Sequence, residues 1–284
     1  MQPHEKRNMF NEAIKQGGIA VITGAASGVG FAAAEDLAGR GLDLVLIDLP
    51  GPALDEAASK LSNSGASVTA IGTDVSDAEA MTALADQVFS LGPVAVLMNN
   101  AGIGRPTKSW EAPEHWRQMI EVNLFGVING VQAFLPRMIE AARPAVVVNT
   151  GSKQGITNPP GNPGYNVTKA AVKSLTESLA HELRTAGAPI SAHLFVPGFT
   201  YTGMIASFLP EKPPGAWTSE QTANYLMARL EAGNFYVICP DNEVTPDEDK
   251  RRVTWSCQDI TLNRPALSRW HPDFADDFAN FKLD

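Results

Sequence analysis

The stretch GYNVTKAAVK at 164–173 holds Tyr165 and Lys169 four residues apart. On a helix that spacing puts both side chains on one face. A phenol ionises near pH ~10 and is no base at neutrality. A fixed ammonium beside it favours the phenolate and lowers that value. The pair is therefore an acid/base device in outline, although a Tyr and a Lys at this spacing also occur in ordinary solvated helices. What surrounds the pair has to decide between these readings.

A second stretch with chemistry in it is TGAASGVG at 23–30, between the apolar run IAVIT and the helical FAAAEDLAGR. A glycine-rich turn from strand to helix aims backbone N–H groups and the helix dipole at a phosphate. Gly24 permits the tight turn, while Gly28 and Gly30 let the backbone and a pyrophosphate approach closely. Ser27 and Val29 belong to the same cofactor-facing turn. The spacing is G-x-x-x-G-x-G, and no Lys-Ser/Thr follows, so this is not the mononucleotide P-loop. Asp48, 18 residues beyond Gly30 and followed by Leu49, ends the second strand. A carboxylate there accepts hydrogen bonds from adenosine ribose hydroxyls and repels a 2′-phosphate. The glycine turn lacks the Arg or Lys that NADP would want, so NAD is expected. Asp74 and Val75, in TDV, are assigned to the adenine. Asn100, Ala101 and Gly102, in NNAG, suit a backbone that passes close to the cofactor.

These residues need elements to hold them. Short apolar runs at 19–23, 44–48, 68–72, 94–99, 145–151, 190–196 and 234–239 read as strands. They are continuous, not alternating, as expected where both faces are covered. Helical patterns fill the intervals, with Val172, Leu175, Leu179 and Leu183 on one stripe of the helix after Tyr165. The alternation predicts an α/β fold, a Rossmann-type doubly wound parallel sheet of about seven strands with right-handed crossovers. The expected organisation is a polar extension over 1–18 with room for a short helix, a catalytic domain over 19–240 and a C-terminal tail over 241–284. Trp255, Trp270, Phe274, Phe278 and Phe281 are expected to anchor that tail onto the domain.

The 284 residues are 44% hydrophobic with a net charge of −9 and no basic run, which argues against nucleic acid or an anionic membrane as partner. No apolar stretch is expected to reach the ~20 residues of a bilayer span. Residues 1–18 lack the apolar core of a signal peptide. Cys239 and Cys257 are too few for a disulfide framework, and no Cys/His cluster has metal-ligand spacing. A cytoplasmic, metal-free protein is the expectation.

TGAASGVG, NNAG, Ser152 thirteen residues before Tyr165, YNVTK, and PGFTYTG at 197–203 occur in that order. Together they resemble the short-chain dehydrogenase/reductase family in its compact single-domain branch, over roughly residues 19–240. The resemblance implies Tyr165 as general acid/base toward the substrate oxygen, with Lys169 lowering its pKa and holding the nicotinamide ribose. It implies Ser152 as hydrogen-bond donor to that oxygen, and Asn123 as the residue that kinks its helix and holds a water in a proton relay. Pro197 and Gly198 would meet the nicotinamide carboxamide, with Thr200 and Thr202 as side-chain donors. Two features depart from the family pattern. TGSKQG puts Gly151 and Lys153 around the serine, so Lys153 faces either solvent or substrate, and a tail of roughly 45 residues follows the last strand. A homodimer or homotetramer is implied, the dimer forming through long helices at about 114–142 and 165–186 if the tail covers the other interface.

The segment 198–217 should form a lid, made apolar by Met204, Ile205, Phe208, Leu209 and Trp217. An apolar, medium-sized or bulky secondary alcohol or ketone is therefore expected as the small-molecule substrate. The alternatives are an NADP-preferring carbonyl reductase, a non-catalytic NAD-sensing protein and a sugar-nucleotide epimerase. A serine hydrolase is disfavoured because GSKQG lacks the nucleophile-elbow spacing.

Overall fold

A computed structural model describes residues 8–206 and 209–283, the side chain of Met204 excepted. Seven strands, β1 (Ile19–Thr23), β2 (Asp43–Asp48), β3 (Val68–Gly72), β4 (Val94–Asn99), β5 (Ala145–Thr150), β6 (Ile190–Val196) and β7 (Tyr236–Ile238), form one sheet in the order β3-β2-β1-β4-β5-β6-β7. Every pairing is parallel. The central strands β1, β4 and β5 are buried along their whole length, which is why their sequences run apolar without alternation. β3, at one edge of the sheet, is only partly covered. The expected strands at 19–23, 68–72, 94–99 and 190–196 coincide with those observed, whereas β7 is three residues long instead of six.

The helices in chain order are α1 (Met9–Gln16), α2 (Gly28–Gly39), α3 (Pro52–Asn63), α4 (Ala78–Leu91), α5 (Pro113–Ile120), α6 (Gly126–Glu140), α7 (Gln154–Thr157), α8 (Pro163–Thr185), α9 (Gly203–Ala206), α10 (Ser219–Glu231), α11 (Pro246–Thr261) and α12 (Ala275–Asn280). They cover both faces of the sheet over two apolar layers, one holding Ile22, Leu46 and Phe195, the other Val21, Leu97 and Phe134. Strand order reverses between β2-β1 and β4, so the ends of β1 and β4 diverge and leave a crevice there.

Three expectations change. The N-terminal segment holds the short helix allowed for it, but that helix is docked instead of being a free polar extension: α1 buries Phe10 and Ala13, and Asn8 Nδ2 donates to the Leu230 and Glu231 carbonyls at 2.9 and 2.7 Å. The single helix expected at 114–142 is two helices joined by one wide π turn, Glu121–Phe125, which contains Asn123. That 28-residue run, Pro113–Glu140, is also long and apolar enough to cross a membrane by length and composition, contrary to the sequence expectation. In the fold, 44% of its most apolar stretch is buried, and Phe134, Leu135 and Met138 pack in the core with α4 and the sheet.

The tail folds back. Trp255 of α11 is buried, donates from Nε1 to Ser268 Oγ at 2.8 Å, and takes Phe278 and Phe281 edge-on at 5.3 and 5.2 Å between centroids. Arg264 stacks on its other face at 3.8 Å. These contacts make the tail a small packed unit against α7.

Candidate active site

A cleft of about 780 Å³ opens at the carboxyl ends of the strands. Local sequence builds its nucleotide end. Gly24 and Gly28 have φ of +67° and +59°, a region that costs other residues energy, and they turn the chain from β1 into α2. Ser27 stands at the N-cap of α2 without a side-chain cap bond, and no acidic residue lies in the first turn. Among the described residues, no acceptor from this chain meets the Gly28, Val29 and Gly30 amides. Those unmet donors and the positive helix end form a cradle for a phosphate. Thr23 Oγ1 fastens the turn to NNAG by accepting from the Asn100 and Ala101 amides at 2.9 and 3.0 Å. Asn100 Nδ2 answers by donating to the Thr23 and Gly24 carbonyls at 3.2 and 3.3 Å.

Asp48 braces the same turn. Its Oδ2 accepts from Ala26 N at 2.9 Å and its Oδ1 from Leu49 N at 2.8 Å, and each oxygen keeps a further lone pair for a ligand. Asp74 Oδ1 accepts from the Ser76 amide and hydroxyl at 2.9 and 2.7 Å. The cations that line the cleft are Lys153, Lys169 and Arg252, and none belongs to the segments around Asp48.

Tyr165 and Lys169 project from α8, whose start is set by Asn162 accepting from Tyr165 N at 3.4 Å and by Pro163 at the first helical position. Tyr165 is half-buried, with its hydroxyl closely surrounded by protein. Burial pushes the phenol above its ordinary value, and a hydrogen bond with Ser152 opposes this. The Lys169 ammonium, buried and donating to the Thr150 carbonyl at 2.8 Å, lies 5.7 Å from the Tyr165 ring centroid. Burial lowers Lys169 itself to about 8. The expected downward pull of Lys169 on Tyr165 is therefore not met in the chain alone, where desolvation is the larger effect on both groups.

The expected site residues Gly24, Ser27, Gly28, Val29, Asp48, Leu49, Asp74, Val75, Asn100, Ala101, Gly102, Ser152, Tyr165, Lys169, Pro197, Gly198, Thr200 and Thr202 all line this cleft. Gly30 and Asn123 do not. A Cβ on Gly30 would sit 2.2 Å from the Gly24 carbonyl oxygen, so the absence of a side chain there serves the packing of the turn on itself. Asn123 is fully buried behind the wall. Its Oδ1 accepts from Ile103 N at 2.7 Å, and its Nδ2 donates to Ile103 O at 2.9 Å and to Thr168 Oγ1 at 3.3 Å. It clamps the backbone beyond Gly102. Thr200 also turns inward, sharing a 2.9 Å hydrogen bond with Thr222 Oγ1.

The substrate end differs from the expected lid. Ile205 and Phe199 line the cleft, but Trp217 packs on Tyr225 and donates from Nε1 to Asn242 Oδ1 at 3.1 Å, and Leu209 lies outside the cleft. Phe208 and the Met204 side chain are outside the described residues. Asp241, Val244 and Arg252 of the tail line the wall instead, so the tail closes its own chain's site. Lys153 faces neither solvent nor substrate freely: its Nζ meets Asp249 Oδ2 at 2.7 Å and Asp241 Oδ2 at 3.5 Å. Of the wall residues not foreseen, Asn162 carried a readable signal as an N-cap three residues before Tyr165. The tail residues carried none.

A doubly wound sheet with a glycine turn at the switch point, and a Tyr–Lys pair at the neighbouring strand end, defines a nucleotide-dependent oxidoreductase. Comparison with known sequences takes this one step further. The short chain dehydrogenase family matches residues 18–213, and the chain belongs to that family. It is 36% identical over 258 residues to a 1-deoxy-11-beta-hydroxypentalenate dehydrogenase of Streptomyces exfoliatus, covering 88% of this chain and 93% of that protein. It is 39% identical over 192 residues to a galactitol 2-dehydrogenase (L-tagatose-forming) of Cereibacter sphaeroides, covering 66% and 73%. A solved short chain dehydrogenase/reductase from Burkholderia phymatum in complex with NAD superimposes with a TM-score of 0.80 at 34% identity, over 87% of this chain and 95% of that one. The chain is an enzyme of the hydroxyl/keto oxidoreductase class.

Proposed function

We propose that the protein is an NAD-dependent dehydrogenase that interconverts an apolar secondary alcohol and its ketone. The observation that carries this reading is the placement of Ser152, Tyr165 and Lys169 on the same wall as the glycine turn and Asp48. Unmet amides at the start of α2 fit a pyrophosphate, and Asp48, with no cation beside it on the wall, fits ribose hydroxyls without a 2′-phosphate. When bound, the nicotinamide supplies the hydride acceptor or donor.

The chain's own residues supply the rest. Tyr165 Oη takes the proton from the substrate hydroxyl in oxidation and returns it in reduction. Ser152 Oγ donates to the substrate oxygen where charge builds up. Lys169, positive below about 8 and 5.7 Å from the Tyr165 ring centroid, has the charge that favours the phenolate able to accept this proton. Asn123 holds Ile103 and the Gly102 backbone against the site. Ile103, Phe199, Ile205 and Val244 give the substrate end an apolar wall. The relative whose name specifies a hydroxypentalenate supports that substrate class more directly than the one acting on galactitol, because it matches more of this chain.

For the assembly, exposed Trp110, Phe125 and Val167 around α5, α6 and α8 support a homodimer. Light scattering that gives a monomer would sink the assembly. Titration with NADH and NADPH, followed by tryptophan fluorescence, tests the cofactor assignment. Wild type should favour NADH, and Asp48→Ala should narrow that preference by about tenfold. Equal or tighter NADPH binding by wild type would point to an NADP-preferring carbonyl reductase instead.

A further inference from the structure

The tail brings a group of charges to the substrate end that proton transfer does not use. Lys153 is occupied by Asp241 and Asp249. Glu248 is shared by two arginines: Arg251 grips both its oxygens at 2.7 and 3.2 Å, and Arg252 Nε donates to Oε1 at 2.7 Å. Among the described residues, neither terminal nitrogen of Arg252 makes a hydrogen bond or ion pair. A third guanidinium, Arg269, stacks on Trp270 and Phe278 with no carboxylate partner among the described residues. Burial and the charge of Arg252 together lower Arg269 to about 10. Four cations thus stand against three carboxylates, in a chain whose net charge is −9.

Arg252 also occupies a boundary. It lines the main cleft, and it lines a smaller cavity of about 270 Å³ with Ile156, Val253 and Trp270. Lys153 and Gln154, which directly follow Ser152, line both cavities as well. Ser152, Tyr165 and Arg252 line one cleft, together with the apolar Phe199, Ile205 and Val244. A guanidinium with its two terminal nitrogens unspent is a planar fork that matches a carboxylate.

We propose that Arg252 binds a carboxylate at the end of the substrate remote from the reacting hydroxyl, so that the enzyme acts on apolar cyclic or branched hydroxy acids in preference to neutral alcohols. This rests on the dehydrogenase reading of the same cleft. The corner's own acids fix the fork in place: Glu248 holds Nε, and the Lys153–Asp249 pair keeps that lysine from competing for the anion.

The test uses 4-hydroxycyclohexanecarboxylate and its methyl ester as substrates with NAD, in wild type, Arg252→Met and Arg252→Lys. Wild type should favour the acid by about tenfold or more in kcat/KM, mainly through KM, as a charge-assisted hydrogen bond would give. Arg252→Met should bring the ratio to near one, and Arg252→Lys should keep part of it. A second measurement, calorimetry of cyclohexanecarboxylate against cyclohexanecarboxamide with and without NADH, needs no turnover. Carboxylate should bind wild type more tightly than the amide, and Arg252→Met should erase the difference. Acid-to-ester and carboxylate-to-amide ratios near one in wild type overturn the inference, as does a preference that survives in Arg252→Met. Failure of NADH to bind breaks the dehydrogenase reading separately, because the carboxylate preference is also read without it.

Discussion

The two ends of the cleft are built in different ways. At the nucleotide end, each functional group sits within a few residues of the strand that delivers it: Gly24 and Gly28 after β1, Asp48 at the end of β2, Asn100 after β4. The hydrogen bonds that fix these groups join one strand end to the next, as between Asp48 and Ala26 or Thr23 and Asn100. At the substrate end, Ile103, Ser152 and Phe199 still follow β4, β5 and β6 closely, but Asp241, Val244 and Arg252 come from the tail, which supplies the outer wall. A repeated ligand is met by a repeated local motif, whereas a particular substrate is met by long-range packing that can change without disturbing the sheet.

Three substitutions sharpen or break this contrast, beginning with the largest effect. Tyr165→Phe removes the proton acceptor at the junction of the two ends. It should lower kcat for alcohol oxidation by about 10²–10⁴-fold while NADH binding stays within about tenfold of wild type. A modest drop in kcat would mean the Tyr–Lys pair is not the acid/base device. Gly30→Ala acts inside the nucleotide end, where the new methyl would lie 2.2 Å from the Gly24 carbonyl. The turn must move, and thermal unfolding should show a loss of about 3 kcal/mol with weakened NADH binding. Unchanged stability would show that the turn is looser than its hydrogen bonds indicate.

The smallest of the three concerns pH. Lys169 has its folded pKa lowered to about 8 from 10.5, so between these values the unfolded chain binds more protons than the folded one. Stability from this group therefore rises with pH across that window, and the cost of burying the ammonium is greatest below about 8. Wild type should gain about 2 kcal/mol relative to Lys169→Met between pH 7.5 and 9.5, read by urea unfolding. An equal pH response in the two proteins would mean that Lys169 is less buried than described. The measurement also separates two costs: a buried ammonium weighs on the fold at neutral pH, while the same charge is what a Tyr165 phenolate needs.

Much of this was legible from residues alone. Uninterrupted apolar runs gave the buried parallel strands, because a strand covered on both faces cannot alternate, and the glycine turn located the crevice. The end strand was overestimated by Asn234 and Phe235 before it and Cys239 after it, because the apolar run extends beyond the three residues, Tyr236 to Ile238, that pair with Leu194 to Val196. The helix through Asn123 was placed but not its π turn, since one extra residue per turn leaves no mark in a hydrophobic pattern.

The sequence by itself determined the fold, the nucleotide turn and the Tyr165–Lys169–Ser152 set, because these depend on spacing within single elements and on strand ends that the sheet brings into line. Only the tertiary structure decided that Gly30 and Asn123 stand behind the wall, that Trp217 packs away from it, and that Lys153 is spent on Asp241 and Asp249. It alone put Arg252 of the tail on the wall of the cleft. The physical reason is that these outcomes turn on which surfaces pack together and which charges are thereby desolvated, and neither is written in the order of nearby residues.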